Sequence, residues 1–368
     1  MGGLPVASDT VRAVTGPHPP GQHERRVRVL QAIITAVVAL LVLAPTSLAT
    51  ISVPWAVGTG GTGTDQGSAI ATLPDGSAIV TGRFQGTATF GSTTLTSAGG
   101  YDVFVAKVDA SGTYAWATGA GGASTDIGYG VSALPDGSVI VTGNFNGTAT
   151  FGSTSLTSAG ADDVFVAKVD ASGSYVWAAR AGGGLSDIGY GVSALADGSA
   201  VLTGRFQSRA VFGSTTLTSS AGLDMFVAKV DASGSFVWAT SAGGSTSAWG
   251  NAVSTHADGS AVVTGLFDGT IAFGSTTFTA AVGTDAFIAK VGPSGSFVWA
   301  RSVGGGGSNV GRDVSTLADG SAIVSGSFEN TASLGSTTLT GAGILDVFVA
   351  KVDASGTFAW ATGAGGTA

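Results

Sequence analysis

The side chains that could perform acid–base or nucleophilic chemistry are few after residue 49. That part of the chain has one histidine, His256, one glutamate, Glu329, and no cysteine. A Ser-His-Asp triad would need His256. Leucine stands 61 residues before and 61 residues after it, so we interpret His256 as a strand residue at an apolar position. The carboxylates without repeated counterparts, Asp268, Asp313 and Glu329, are the candidates for the acid pair of a glycoside hydrolase.

The other aspartates mostly recur at predicted turns, where the side chain bonds nearby backbone N–H groups. We therefore interpret them as structural. Calcium is the one ion to consider, because Asp65, Asp126 and Asp187 align, but the next equivalents are Ala248 and Asn309. The DASG turns also lack the alternating oxygen ligands of a calcium loop. The sequence thus predicts no metal site and no cofactor.

A unit of 61 residues is repeated without insertion or deletion. Five full units lie between the first and last copies of its tryptophan, and the same step separates the lysines and the aspartates of the repeat. A fixed period of this length indicates repeated supersecondary units. The tryptophans are Trp55, Trp116, Trp177, Trp238, Trp299 and Trp360.

One unit contains four predicted strands and no helical period. The second unit predicts strand A at 128–135, strand B at 138–145, strand C at 163–170 and strand D at 175–181. Asp136-Gly137 predicts a two-residue hairpin turn between A and B. The long connection between B and C contains two short segments that suggest a small extra hairpin about Gly152-Ser153.

Side-chain bulk rises from strand A, rich in Gly, Ala and Ser, to strand D, which carries Trp. This gradient suits sheets that fan outward from an axis, so the sequence predicts an all-β fold, a β-propeller with five blades of four antiparallel strands. A linear β-solenoid is the alternative. Copies of strand D stand at both ends, near Trp55 and Trp360, and ring closure by a terminal D strand is expected. An open arc completed by another copy is the other arrangement.

The stretch DGSAIVTGRFQGTATFGSTTLTSAGGYDVFVAKVDASGTYAWA resembles the bacterial SBBP-type β-propeller repeat, which occurs in exported and surface proteins. The resemblance extends over about residues 55–366. It implies a propeller and an exported setting. It carries no shared catalytic motif, so it assigns no functional residue.

Residues 1–49 read as a signal peptide or an N-terminal membrane anchor, followed by the propeller domain at 50–368. Arginines precede an apolar stretch at 32–44, short for a membrane span, and Ser47-Leu48-Ala49 suits a cleavage site. The protein is therefore expected to be secreted or on the cell surface, touching a membrane only through this segment if it is uncleaved. The rest of the chain has a net charge of about −10, which argues against nucleic acid as a partner.

The units differ mainly at one end of the predicted sheets, where D leads to A and B leads to C. Aromatic and Arg residues in this variable set are types that anchor interfaces. We interpret the set as a candidate ligand surface, with neutral variation of loops as the alternative. Its members are Arg83, Tyr129, Asn144, Tyr190, Arg205, Trp249 and Arg312.

The sequence thus predicts an exported, non-catalytic propeller that presents a face to a glycan or a surface protein. A purely structural or adhesive cell-surface module is the alternative, and a propeller glycoside hydrolase is a third reading. The repeated lysine of strand C, such as Lys107, is expected to cover apolar surface with its stem while its ammonium reaches water or an Asp.

Overall fold

The computed structural model describes residues 55–367, which contain strands and turns and no helix. The predicted leader, residues 1–49, lies outside the described residues. The main strands form five four-stranded antiparallel groups, called here sheets I to V, which follow one another along the chain, each in the order A, B, C, D. Short pairings between neighbouring groups join sheets I to IV into one 17-stranded sheet, and sheet V is separate.

The strand bounds repeat from sheet to sheet. The A strands are β2 (Gln66–Thr72), β6 (Ile127–Ala133), β10 (Ile188–Ala194), β14 (Ala248–Thr255) and β18 (Asn309–Thr316). The B strands are β3 (Ala78–Phe90), β7 (Val139–Phe151), β11 (Ala200–Phe212), β15 (Ala261–Phe273) and β19 (Ala322–Phe328).

The C and D strands follow the same pattern. The C strands are β4 (Thr93–Val108), β8 (Thr154–Val169), β12 (Thr215–Val230), β16 (Thr276–Val291) and β22 (Asp346–Val352). The D strands are β5 (Tyr114–Gly122), β9 (Tyr175–Gly183), β13 (Phe236–Gly244), β17 (Phe297–Val303) and β23 (Phe358–Ala364). Three short strands complete the set: β1 (Gly60–Gly61), β20 (Thr331–Leu334) and β21 (Thr337–Thr340).

The extra hairpin between B and C is present and is continuous with both strands in sheets I to IV. In sheet II, Phe151 pairs with Thr154 across Gly152-Ser153, and the pairing continues past a register shift between Asn146 and Thr148. In sheet V the same hairpin is separate, as β20 and β21. Strands B and C are therefore longer than the sequence predicted, because their hydrogen bonds continue through the bulge.

The A–B turn differs from the predicted two-residue turn. The Leu134 N–H donates to the Ser138 carbonyl (2.8 Å) and the Gly137 N–H to the Leu134 carbonyl (3.0 Å). The loop therefore contains three residues, with Gly137 at a φ of 82°, as in a type I turn closed by a left-handed residue. The Asp136 carboxylate accepts from the Ser138 N–H (3.0 Å), and this bond favours the longer turn.

Apolar side chains fill the space between successive sheets. Four core clusters join I to II, II to III, III to IV and IV to V. Between II and III the outer strands are held apart by bulky groups, including Phe212, Phe226 and Trp177. The A strands of these two sheets come much closer, since the Ala194 N–H of sheet III donates to the Ser132 hydroxyl of sheet II (3.0 Å). Successive sheets thus lie close together at strand A and are separated by bulkier side chains at the outer strands, in agreement with the predicted rise in side-chain bulk.

The predicted ring closure is wrong for the described residues. No strand of sheet I pairs with a strand of sheet V, and Trp360 on the last D strand is 44% exposed. The segment at Trp55 forms no D strand. Strand β22 already pairs with β23 through a short turn, and such a local hairpin costs less loop-closure entropy than recruiting a segment from the other end of the chain.

Each internal tryptophan fastens its sheet to the next. The Trp116 indole N–H donates to the Ala171 carbonyl in the C–D turn of sheet II (3.0 Å). Gly173 of that turn lies under the ring, where an added Cβ would be 2.8 Å from the indole. The same bond is made by Trp177, Trp238 and Trp299. The spacing of the tryptophans did not predict this junction.

The strand C lysines take the structural role that the sequence predicted. The ammonium of Lys107 lies 3.3 Å from the Asp75 carboxylate, and that of Lys351 lies 3.2 Å from Asp319. The lysine side chains are largely covered while the aspartates stay exposed. Each pair joins strand C to the A–B turn of the same sheet, and exposed pairs of this kind contribute little free energy.

We expect Gly173→Ala to lower the free energy of unfolding by more than Gly86→Ala. Both glycines have a left-handed φ, 92° and 69°, which costs a side-chain-bearing residue about 1–2 kcal/mol. A Cβ at Gly86 would meet nothing within 4 Å, whereas one at Gly173 would collide with Trp116. Urea unfolding of the two variants checks this, and equal losses would contradict the junction.

Candidate functional site

A β-bulge lies near the start of every A strand. The pairing of each A strand with its B strand shifts register by one residue at the same point of the repeat. A bulge re-aims the extra side chain and is common beside functional sites. The residues in the five bulges, in chain order, are Ser68, Tyr129, Tyr190, Asn251 and Arg312.

Three aromatic rings form a row across neighbouring A strands. The ring centres of Tyr129 and Tyr190 are 5.4 Å apart in an edge-to-face contact. Those of Tyr190 and Trp249 are 6.3 Å apart and nearly parallel, at 28°. All three side chains are half-buried. Because neighbouring A strands lie close together, residues at the same or nearby positions of successive repeats are brought into contact here. Tyr129 and Tyr190 are 61 positions apart, and Tyr190 and Trp249 are 59 apart.

Arg205, on strand B of sheet III, covers this row. Its guanidinium carbon lies 4.3 Å from the centre of the Trp249 ring and 5.9 Å from that of Tyr190. Such cation–π contacts are worth about 0.5–2 kcal/mol. The Arg205 Nε and the Trp249 Nε1 are buried and have no hydrogen-bond partner among residues 55–367. Two N–H donors of the site are thus unsatisfied, and a local movement that exposes them would let a ligand's oxygen atoms accept their hydrogen bonds.

The other predicted site residues lie outside this contact group. Arg83 stacks on Tyr101, 4.4 Å from the ring centre, in sheet I. Asn144 is buried in sheet II, and its Oδ1 has no partner among the described residues. Arg312 lies in the bulge of sheet V, two sheets from Tyr190. The structure thus brings together Tyr129, Tyr190, Arg205 and Trp249, called here the aromatic row.

Two residues of this face were not among the predicted site residues. Asn251 occupies the bulge of sheet IV, and its side-chain amide donates to the Gly311 carbonyl of sheet V (2.8 Å). Tyr101 supports Arg83. The signal for Asn251 was its spacing of 61 residues from Tyr190, and for the bulge it was the pair of glycines that flank Tyr129.

Buried aspartates fix the D–A loops that lead into these bulges. Asp187 accepts from the Gly183 N–H of sheet II (2.7 Å) and the Gln207 N–H of sheet III (3.0 Å). Asp126 makes the equivalent two bonds between sheets I and II. Burial raises the pKa of Asp126 to about 6 and that of Asp187 to about 7, against an ordinary value of 3.8.

The candidate hydrolase carboxylates are engaged separately. Asp268 accepts from the Thr246 hydroxyl (3.0 Å), Glu329 from the Ser308 N–H (3.2 Å) and Asp313 from the Val314 N–H (2.8 Å). These bonds hold local loops and strands. His256 is buried at the start of an A–B turn, and burial, then Lys290, lower its pKa.

Within residues 55–367, no three Asp, Glu, His or Cys side chains group as a metal ion would require. Asp65, Asp126 and Asp187, the aspartates considered for calcium, each receive two backbone N–H bonds instead. A search of the same residues for a helix long and apolar enough to cross a membrane finds none.

Comparison with known proteins finds only low similarity, and only to solved structures. No family model matches the chain, so membership of the SBBP-type repeat family stays a prediction, and no curated protein matches it either. A protein of unknown function from Bacteroides caccae is similar with 11% identity over 73% of this chain and 92% of that chain, at a TM-score of 0.37.

Two further solved structures are similar at the same low level. YCF48 bound to D1 peptide shows 11% identity over 87% of this chain and 74% of that chain, with a TM-score of 0.38. The Neurospora crassa Pan2 WD40 domain shows 12% identity over 70% and 85%, with a TM-score of 0.29. Similarity this low says nothing about function.

Proposed function

We propose that this chain is an exported, non-catalytic binding module of the β-propeller type, with five wedge-shaped sheets as its blades. Its aromatic row binds an extended segment of a protein partner. The observation that carries this proposal is the contact group of Tyr129, Tyr190 and Trp249 with Arg205 stacked on it. Export is proposed from the leader sequence alone.

The chemistry of the row favours a protein segment. Tyr, Trp and Arg are the residues that most often supply the binding energy of protein interfaces. The rings offer apolar area with little entropy to lose. The unpartnered N–H groups of Arg205 and Trp249 would donate hydrogen bonds to the carbonyl oxygens of a peptide backbone. A glycan would use the same ring faces, so glycan binding is the competing outcome.

We expect Trp249→Ala to weaken binding of a cognate peptide by about thirtyfold or more, the threshold for a hot-spot side chain. Peptides selected on the protein from a random display library are the probe, and a glycan array is the second arm. Arg205→Ala should weaken the same peptides, because it removes the cation that lies 4.3 Å from the indole centre.

Trp360→Ala and Arg209→Ala are the matched controls, since both side chains are exposed and lie outside the row. They should leave peptide affinity unchanged. Selected peptides that bind Trp249→Ala as tightly as the parent would remove the proposal. If the protein binds only to the glycan array, and Trp249→Ala abolishes that binding, the ligand of the aromatic row is a carbohydrate and not a peptide.

The alternative function is that of a module that assembles with other copies of itself. It is favoured by a different observation, the exposed apolar side chains of sheet V, such as Val347 and Trp360.

A further inference from the structure

The four junctions between successive sheets are built from the same contacts. The earlier sheet of each junction presents what we call its donor side, where strand D supplies a Trp and strand C supplies apolar side chains. The following sheet presents its acceptor side, where the C–D turn supplies the carbonyl that accepts from the indole N–H and the glycine on which the ring lies. The end of strand D also pairs with the outer half of strand B of the next sheet, as Gly121 and Gly122 do with Thr150 and Ala149.

Sheet V presents an uncovered donor side. Val347 is 37% exposed, whereas its equivalents Val103, Val164 and Met225 are fully buried. Leu317 is 38% exposed, against 9% or less at Leu73, Leu134 and Leu195. The Trp360 indole N–H has no carbonyl partner among the described residues, although each of the other tryptophans of the repeat has one.

Sheet I presents the matching acceptor side, partly occupied by residues 55–61. The Trp55 indole N–H donates to the Ala110 carbonyl (3.1 Å), and Gly60–Gly61 pair with Thr89 and Ala88. These are the contacts that a preceding strand D would make. The segment does not cover strand A, since Ile70 is 52% exposed while its equivalents, such as Val131, are nearly buried.

The two ends carry nearly the same sequence. Residues 55–61 read WAVGTGG and residues 360–366 read WATGAGG, with differences at two positions only. The second segment belongs to a formed strand with a whole apolar sheet behind it, so it could cover Ile70 as well as the turn. Burying apolar area is the main source of association free energy, which favours the complete sheet over the short segment.

We propose that sheet V of one copy docks on sheet I of a second copy and displaces residues 55–61 from the acceptor side. Trp360 then lies on Gly112 and bonds the Ala110 carbonyl. The contact is head-to-tail, so it can extend to longer assemblies or close a ring of copies. Residues 55–61 act as a cap that weakens self-association. This inference is independent of the aromatic row.

The test uses the full chain in a mild detergent, which keeps the apolar stretch 32–44 from associating. Val347→Asp disables the donor side and Ile70→Asp disables the acceptor side, and both positions are exposed, so folding should be kept. Each variant alone should sediment as a monomer. An equimolar mixture of the two should form a dimer and nothing larger, because only one intact donor side and one intact acceptor side can meet.

The parent chain should associate with rising concentration, and Trp55→Ala should associate more tightly because it loosens the cap. Val298→Asp is the control, since this exposed valine of strand D lies away from the ends. It should behave as the parent does. The proposal would be overturned if the parent chain and the mixture both stayed monomeric up to about 100 μM. This concentration is above the usual dissociation constants of interfaces of standard size. Compaction without a change of mass would overturn it too, since the chain would then close on itself.

Discussion

Replacing Trp177 by Ala is expected to lower the free energy of unfolding by about 2–3 kcal/mol, somewhat below the cost of truncating a fully buried Trp. The indole packs against the core between sheets II and III, and its N–H donates to the Ala232 carbonyl (3.0 Å). Truncation removes apolar contact and leaves that carbonyl without its donor. Unfolding in urea, followed by circular dichroism, measures the loss.

Trp360→Ala supplies the matched control, because the two tryptophans occupy the same position of the repeat. In a single copy of the chain Trp360 has no following sheet to pack on and is 44% exposed, so both variants are measured at a protein concentration where the chain is monomeric. Its truncation should change the free energy of unfolding by less than about 0.5 kcal/mol, as is usual at the surface. Similar losses for the two variants would mean that the indole stabilises its own strand and not the junction between sheets.

The second large effect is a pH dependence centred on Asp187. Its pKa is about 7 in the folded protein, chiefly because the carboxyl is buried, with the charges of Asp163 and Asp162 adding to the shift. Between about pH 4 and pH 7 the folded state therefore holds a proton that the unfolded state has released. Stability falls as the pH rises through this window and levels off above it, by up to about 4 kcal/mol in total.

Asp187→Asn should remove this part of the pH dependence. The variant loses one of the two backbone hydrogen bonds at either pH, because an amide has one acceptor oxygen. Its stability relative to the parent should therefore be higher at pH 8 than at pH 4.5. Urea unfolding at the two pH values measures the difference.

Asp197→Asn is the control for this experiment. Asp197 is an exposed turn residue whose pKa is lowered, first of all by a hydrogen bond from the Ser199 side chain. The ionised Asp197 contributes to the free energy of unfolding at every pH above its ordinary pKa of 3.8, and this contribution is lost only as the pH falls below that value. The difference between this variant and the parent should be the same at pH 8 and pH 4.5. A pH-independent difference for Asp187→Asn would show that Asp187 is ionised in the folded protein throughout this range.

The candidate site was only partly predictable. The sequence placed Tyr129 and Tyr190 at equivalent positions, and the structure puts their rings in contact. The sequence did not indicate that Arg205 would lie on Trp249, because the two residues belong to different sheets and to different positions of the 61-residue repeat. Arg83 was predicted with them on residue type alone, and it stacks instead on Tyr101.

Local signals in the sequence determined the class of fold: alternating strands, Asp-Gly turns, a 61-residue period and bulk that rises from strand A to strand D. These are properties of neighbouring residues, so they can be read along the chain. Only the tertiary structure decided which contacts the first and last copies of strand D make. Whether Trp55 or Trp360 finds a carbonyl depends on which sheet face lies opposite, and repeated units present identical faces that no local pattern distinguishes. The short hairpin of β22 and β23 formed at low entropic cost, and it left one face of the array uncovered.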